Sequence, residues 1–200
     1  MIEGLKPLYN AALRPVALLF AKINIHPDAI TAMGVAASLA AGWACAAGLW
    51  LLAALLVFAG SCMDGLDGLV ARQTGTQTRF GAVLDSTGDR ITEAAWFFGL
   101  LAFYTLHPVY GLAGILLAFL AQAGSQMVSY VRARAEGAGI SCKAGILQRP
   151  ERIIIILLCL LLGPRVMVWG LGVISALAFV TAGERLFAVY RADRNYRQPS

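Results

Sequence analysis

Charged residues are scarce in this chain of 200 residues: they make up 14% of it, whereas hydrophobic residues make up 59%. Soluble domains of ordinary composition carry about 25% charged residues, so this composition excludes that class. Apolar runs near the length that crosses a bilayer core, about 20 residues for roughly 30 Å, recur along the chain. The sequence therefore predicts an all-α integral membrane protein. The predicted spans are 28–48, 49–71, 80–105, 109–131, 151–164 and 166–190.

Soft metal ligands are also few. The four cysteines include no Cys-x-x-Cys pair and lie mostly in apolar surroundings, which predicts small core residues instead of thiolate ligands. The two histidines, His26 and His107, lie far apart in the sequence and at opposite faces of the predicted membrane region. A metal site built from Cys or His is therefore not favoured.

No cleavable signal peptide is evident, because the first apolar stretch, residues 15–20, follows no basic segment and leads to no small-residue cleavage site. No tandem repeat, low-complexity tract or linker stands out either, and a single membrane domain, residues 1–200, is the simplest account. Three parts are predicted: an interfacial amphipathic helix at 4–22, a six-helix bundle at 28–190 and a cytoplasmic tail at 191–200.

Basic residues fall almost entirely on one side of the predicted spans, and Arg165 alone falls on the other. An excess of Lys and Arg in short loops marks the cytoplasmic side of a membrane. The sequence thus predicts a multi-pass protein of the cell membrane with both termini in the cytoplasm. The net charge of +5 follows from this topology and an anionic substrate, and no nucleic-acid partner is needed to explain it.

The most informative polar segment runs from Asp64 to Asp89 and holds four aspartates within apolar sequence. A charged residue at the bilayer centre costs about 2.5 to 3.5 kcal/mol, so four imply a compensating ligand. Asp64 and Asp67 share one face of a predicted helix, and Asp85 and Asp89 share one face of the next. If the two helices form an antiparallel pair, the carboxylates converge, and two Mg²⁺ ions, or Mn²⁺ as the alternative, would neutralise them.

Neighbouring residues suit a phosphate-bearing substrate. Gly65, Gly68 and Ala71 leave room for a ligand at the same helix end. Arg72 can bond phosphate oxygens in a fork, and Thr78 adds a hydroxyl. Helix-end carboxylates can also be simple caps, and glycines often serve packing, but four carboxylates at this spacing favour a functional site.

The order Asp64-x-x-Asp67-Gly68-x-x-Ala71-Arg72, then Gly81, Asp85 and Asp89, resembles the signature of the CDP-alcohol phosphotransferases at every fixed position. The resemblance implies that an alcohol displaces CMP from a CDP-linked lipid, either CDP-diacylglycerol or CDP-archaeol. It also implies that Asp64, Asp67, Asp85 and Asp89 hold two metal ions and that Asp89 deprotonates the acceptor hydroxyl. The implied contacts to the CDP-linked lipid are Thr31, Gly68, Ala71, Arg72 and Thr78, although Asp28 stands where the family usually has Asn.

The acceptor is indicated by two further observations. The segment from Asp85 to Arg90 is similar to the inositol-phosphate branch of that family. Arginines suited to a dianionic phosphate cluster on the predicted cytoplasmic side, although positive-inside topology alone would also place arginines there. They are Arg132, Arg134, Arg149, Arg152 and Arg185.

Alternatives remain open at this point. Glycerol 3-phosphate is a second acceptor, and a divalent-cation transporter is a different class. Against transport, the carboxylates cluster at one end and leave no acidic trail across the membrane. Stretches of small residues and the family resemblance also predict a homodimer.

Overall fold

The computed structural model describes the backbone of residues 6–142 and 144–197, and the side chains of 7–142 and 144–194. These residues form seven α-helices, which confirms the all-α prediction. They are α1 (Lys6–Lys22), α2 (Pro27–Ala46), α3 (Trp50–Thr74), α4 (Arg79–Leu106), α5 (Gly111–Gly137), α6 (Arg149–Leu162) and α7 (Pro164–Arg197), with a short 3-10 turn at Pro108–Tyr110.

A tight connection joins α3 to α4. Gly75 ends α3 with a φ of 68°, a left-handed conformation that glycine adopts without a steric penalty. Three residues later Thr78 caps α4, and its Oγ1 accepts a hydrogen bond of 2.9 Å from the backbone N–H of Gly81. Because the connection is so short, the end of α3 and the start of α4 lie side by side.

Four helical segments are both long and apolar enough to cross a membrane: Pro27–Ala46, Trp50–Thr74, Pro108–Gly137 and Pro164–Arg194. Two of the six predicted spans fall outside this set. The helix α4 has 28 residues, but acidic and basic residues interrupt its first half. The helix α6 has only 14 residues, fewer than a perpendicular crossing needs. Six spans therefore stay a prediction.

Helix ends also differ from the predicted limits. The last helix continues to Arg197, through most of the predicted tail, because its final residues include no Gly or Pro and favour helix. In the predicted 4–22 helix, α1 begins at Lys6, and residues 4 and 5 lie outside the described residues, as do 198–200. The helical character of α1 is confirmed, whereas its position at a membrane surface stays a prediction.

The chain divides into two compact units, and the first is Met1–His107. In this unit α2 packs extensively against both α3 and α4, and α1 packs against α3. The contact between α2 and α4 is very close: a Cβ on Gly99 would overlap the carbonyl of Gly42, and one on Gly42 would overlap the carbonyl of Ala95. Small residues thus let these two helix backbones touch.

The second unit is Pro108–Ser200. Its main contact joins α5 to α7, and α6 packs on α7. Fully buried Met167, Leu171 and Ile174 of α7 form its core together with small residues of α5 such as Ala118 and Ala121. The loop between α5 and α6 is tied to α7, since the Thr181 hydroxyl accepts a 3.0 Å hydrogen bond from the N–H of Leu147.

Candidate active site

Three carboxylates converge in the first unit. Asp64 of α3 and Asp85 and Asp89 of α4 each offer an oxygen, and these oxygens all lie within 4.8 Å of one another. All three side chains are partly buried. The i, i+4 spacing places Asp85 and Asp89 on one face of α4, and the tight connection brings that face to the end of α3.

Asp67, the fourth predicted ligand, is 5% exposed and faces α2. Its Oδ2 accepts a 2.5 Å hydrogen bond from the hydroxyl of Thr31, and its Oδ1 accepts one of 2.5 Å from the N–H of Gly68. These two donors hold the carboxylate of Asp67 in a defined orientation. The structure therefore brings Thr31 and Asp67 together, which the sequence did not indicate.

The sequence predicted convergence of the carboxylates on the condition that α3 and α4 form an antiparallel pair. Both helices pack against α2 far more extensively than against each other. The carboxylates of α3 and α4 nevertheless converge, and α2 packs against both helices.

The donor set fits a divalent cation. Carboxylate oxygens this close repel one another strongly when ionised and partly buried, unless a cation or a proton compensates them. Asp64, Asp85 and Asp89 supply hard oxygen ligands, and no Cys or His among the described residues joins their cluster. Such oxygen-only ligands suit Mg²⁺ or Mn²⁺.

The predicted nucleotide contacts lie at the same end of α3. The guanidinium of Arg72 extends over Gly68, where a Cβ would come within 3.3 Å of Nη1. Arg72 and Thr78 are exposed, and Ala71 is half-buried. An exposed guanidinium and hydroxyl beside partly buried carboxylates can bind a metal-bound diphosphate.

Gly65 has a different neighbour from the one expected. The sequence predicts that it leaves room for a ligand, and this prediction is wrong. A Cβ on Gly65 would lie 2.6 Å from the Oη of Tyr9 and 2.8 Å from its Cε1, so α1 covers this position.

The predicted acceptor arginines lie in the second unit and differ in environment. Arg152 and Arg185 are buried, Arg149 is half-buried, and Arg132 and Arg134 are exposed. Arg185 donates from Nε to the carbonyl of Ala144 at 2.8 Å and from Nη1 to the carbonyl of Val128 at 2.7 Å.

Two of these arginines act on Arg185 through their charge. Arg132 and Arg152 both interact electrostatically with it, and Arg132 also forms a 2.8 Å ion pair with Glu136. No described contact joins Arg134 to this group. Arg132, Arg152 and Arg185 thus form a basic cluster, in which Arg185 is bound by two neutral carbonyls.

Sequence reasoning missed two residues near the aspartates. Tyr9 of α1 packs on the turn of α3 that carries Asp64. The only sequence signal for this contact is the glycine that follows Asp64, because glycine permits close packing. Glu93 of α4 is 3% exposed and continues the four-residue spacing of Asp85 and Asp89. That continued spacing is the sequence signal for Glu93.

Known proteins are similar to this chain in both sequence and fold. The chain matches the CDP-alcohol phosphatidyltransferase family over residues 24–182. It is 36% identical over 195 residues to the archaetidylinositol phosphate synthase of Methanothermobacter thermautotrophicus, covering 96% of this chain and 95% of that one.

Solved structures of a mycobacterial protein agree. The phosphatidylinositol phosphate synthase of Mycobacterium tuberculosis with CDP-DAG bound superposes with a TM-score of 0.82 at 32% identity, covering 89% of this chain and 93% of that one. The same protein in complex with manganese and citrate gives a TM-score of 0.81, covering 89% and 88% of the two chains. The resemblance drawn from the aspartate motif is therefore confirmed, and the chain is a membrane enzyme that belongs to the CDP-alcohol phosphatidyltransferase family.

Proposed function

We propose that this enzyme transfers a phosphatidyl-type group from a CDP-linked lipid, CDP-diacylglycerol or CDP-archaeol, to inositol phosphate and releases CMP. The observation that carries the proposal is the convergence of Asp64, Asp85 and Asp89 in a chain of this family. The names of its relatives support inositol phosphate as the acceptor.

Asp64, Asp67, Asp85 and Asp89 would hold two Mg²⁺ ions, with Mn²⁺ as the alternative. Asp67 takes part through the orientation that Thr31 and Gly68 give its carboxylate. When bound, such ions neutralise the charge of the diphosphate and of the departing CMP. Manganese in the structure of the mycobacterial relative supports this assignment.

Asp89 is proposed as the general base. It accepts the proton of the acceptor hydroxyl while that oxygen bonds to the lipid-bearing phosphorus, and the bond from this phosphorus to the CMP oxygen breaks. Its half-buried position within the carboxylate cluster would place it near a phosphate that the metal ions bind.

Nucleotide binding is assigned to residues at the connected ends of α3 and α4. Arg72 forks onto phosphate oxygens, and Gly68 and Ala71 keep the surface beside it low enough for the diphosphate. Thr78 keeps its hydroxyl hydrogen for a ligand, because Oγ1 acts only as an acceptor in the cap of α4. Thr31 belongs to this site through its bond to Asp67.

The acceptor phosphate is assigned to the arginines of the second unit, Arg132, Arg134, Arg149, Arg152 and Arg185. Two observations support this role for the group. Arg185 is 3% exposed, and burying a guanidinium is costly without an anion. Arg185 donates hydrogen bonds to the carbonyls of Ala144 and Val128, and these neutral acceptors leave its positive charge available to a phosphate.

The enzyme is proposed to act in the cell membrane with its aspartates and both termini on the cytoplasmic side, and α1 on the membrane surface. The one-sided distribution of Lys and Arg supports this orientation. A homodimer is proposed from the small-residue stretches of the membrane helices. Cation transport is not proposed, because the chain belongs to a transferase family.

Release of CMP by the purified protein tests the proposal. CDP-diacylglycerol and CDP-archaeol are each offered with Mg²⁺ and with inositol phosphate, inositol or glycerol 3-phosphate. We expect turnover with inositol phosphate, loss of turnover in Asp89→Asn, and a raised KM for inositol phosphate in Arg185→Lys, whose ammonium lacks the fork. Turnover with glycerol 3-phosphate alone would overturn the assignment of inositol phosphate as the acceptor. Absence of CMP with every combination of lipid and acceptor would overturn the proposed reaction.

A further inference from the structure

We propose that Tyr9 and Gly65 form a seat through which α1 fixes the metal-binding turn of α3, so that Tyr9 is a positioning residue for the transfer reaction. The inference rests on the proposed function, since it needs the aspartates to bind a metal ion. It assigns α1 a role besides its proposed attachment to a membrane surface.

The contact between α1 and α3 is close and specific. The hydroxyl of Tyr9 donates a 3.0 Å hydrogen bond to the carbonyl of Ser61. The ring of Tyr9 occupies the space above Gly65, where a Cβ would lie 2.8 Å from its Cε1 and 3.0 Å from the Cδ1 of Leu13. Real Cβ atoms do not approach neighbours as closely as 2.8 Å, so a side chain at position 65 would displace the tyrosine ring from this position.

Asp64 lies on this same turn. Ser61 and Gly65 are one helical turn apart, and Asp64 directly precedes Gly65 in the sequence. Tyr9 therefore holds both the carbonyl at the start of the turn and the backbone at its end. A shift of Tyr9 relative to α3 would move the backbone that carries the Asp64 carboxylate.

A buried cluster extends the same contact to Asp67. Ala17 of α1 is fully buried with Ile30 of α2 and with Leu66 and Val70 of α3, and Leu13 and Phe20 of α1 pack against this group. Ile30 directly precedes Thr31, and Leu66 directly precedes Asp67. The helix α1 thus packs against the immediate neighbours of both partners in the Thr31–Asp67 hydrogen bond.

The geometric demands of metal binding give this packing a functional consequence. Ligand oxygens must lie within a few tenths of an ångström of their positions, and changes in residues that orient ligands commonly weaken metal affinity about 10- to 100-fold. A misplacement of about 1 Å can lower a rate about 100-fold. Loss of the seat should therefore lower both metal affinity and kcat.

A double-mutant cycle on the full-length protein tests the proposal. The variants are Gly65→Ala, Tyr9→Ala, the double variant and Tyr9→Phe. The readouts are the Mn²⁺ affinity, from the electron paramagnetic resonance signal of free Mn²⁺, and kcat for CMP release.

We expect Gly65→Ala to weaken Mn²⁺ binding about 10- to 100-fold, as for residues that orient ligands. In the Tyr9→Ala background the same methyl group has room, so its further effect should be small. Tyr9→Phe, which loses only one hydrogen bond, should weaken binding about 5-fold.

Two control variants separate the seat from general effects. Leu8→Ala removes an exposed side chain of α1, and Gly183→Ala adds a methyl group to α7 where nothing lies within 4 Å. Both should bind Mn²⁺ like the wild type.

The possible results separate this inference from the proposed function. Wild-type Mn²⁺ affinity in Tyr9→Ala and Tyr9→Phe would overturn the seat while the proposed function stands. Additive effects of Gly65→Ala and Tyr9→Ala would overturn the direct contact between them. A wild-type protein that neither binds Mn²⁺ nor releases CMP would overturn the proposed function, and the seat with it.

Discussion

Thr31 and Asp67 are 36 residues apart in the chain, yet their side chains form one of the shortest hydrogen bonds in the site, at 2.5 Å. Asp67 is almost completely buried, and a buried carboxylate needs donors to offset its lost hydration. Thr31 and the backbone N–H of Gly68 supply them. A hydroxyl on α2 and a backbone N–H on α3 therefore orient this carboxylate together.

Replacing Thr31 by valine tests this orientation. Valine keeps the shape of the side chain but removes the donor, so we expect Thr31→Val to weaken Mn²⁺ binding about 10- to 100-fold. Thr31→Ser retains the hydroxyl and should restore most of the affinity. Titration calorimetry of both variants with Mn²⁺ gives the comparison, and equal affinities for valine and serine would contradict the orienting role.

At the residue scale, the sequence predicted the helix face on which each aspartate lies better than the direction in which its side chain points. Helical periodicity predicted which helix face Asp64, Asp85 and Asp89 each occupy, and their convergence was predicted on the condition that the two helices pair. The direction of Asp67 depends on a rotamer and on the approach of a second helix. Neither can be read from local sequence, and the same holds for the tyrosine that covers Gly65.

At the element scale, α2 organises the first unit by packing on both helices that carry the aspartates. The sequence predicted helices in nearly the correct places but assumed that α3 and α4 pair directly. The close approach of Gly42 and Gly99 explains the difference, because it brings α4 against α2. Small residues are common throughout these helices, so composition did not reveal which pair would touch.

A methyl group at this crossing should destabilise the helix packing. In Gly99→Ala the new Cβ would overlap the carbonyl of Gly42, so α2 and α4 must separate. We expect a loss of about 1 to 3 kcal/mol in the free energy of unfolding, the usual cost of overpacking. Unfolding in detergent micelles, followed by circular dichroism, measures it.

Gly183→Ala is the matched control for that measurement, because its methyl group enters open space on α7. Its stability should equal or slightly exceed that of the wild type, because alanine favours the helix more than glycine does. A Gly99→Ala variant as stable as Gly183→Ala would show that the backbone contact between α2 and α4 does not limit stability.

At the scale of the whole molecule, the division into Met1–His107 and Pro108–Ser200 separates two sets of functional candidates. The aspartates and the nucleotide residues belong to the first unit, and the acceptor arginines belong to the second. The sequence indicated one domain of six spans without this division, since no linker or change of composition marks residue 107. The family and the reaction class could be predicted because the motif is long and lies within two consecutive helices.

The central claim is that the aspartate cluster binds the metal ions on which transfer depends. It is tested most directly by CMP release from CDP-diacylglycerol and inositol phosphate after complete chelation and after addition of Mg²⁺ or Mn²⁺. Wild type, Asp64→Asn and the control Asp193→Asn, an acid of α7 outside the cluster, are compared. The account predicts no release after chelation, recovery with either ion, and a much higher metal requirement in Asp64→Asn alone. Release of CMP that persists after chelation, or an unchanged metal requirement in Asp64→Asn, would contradict it.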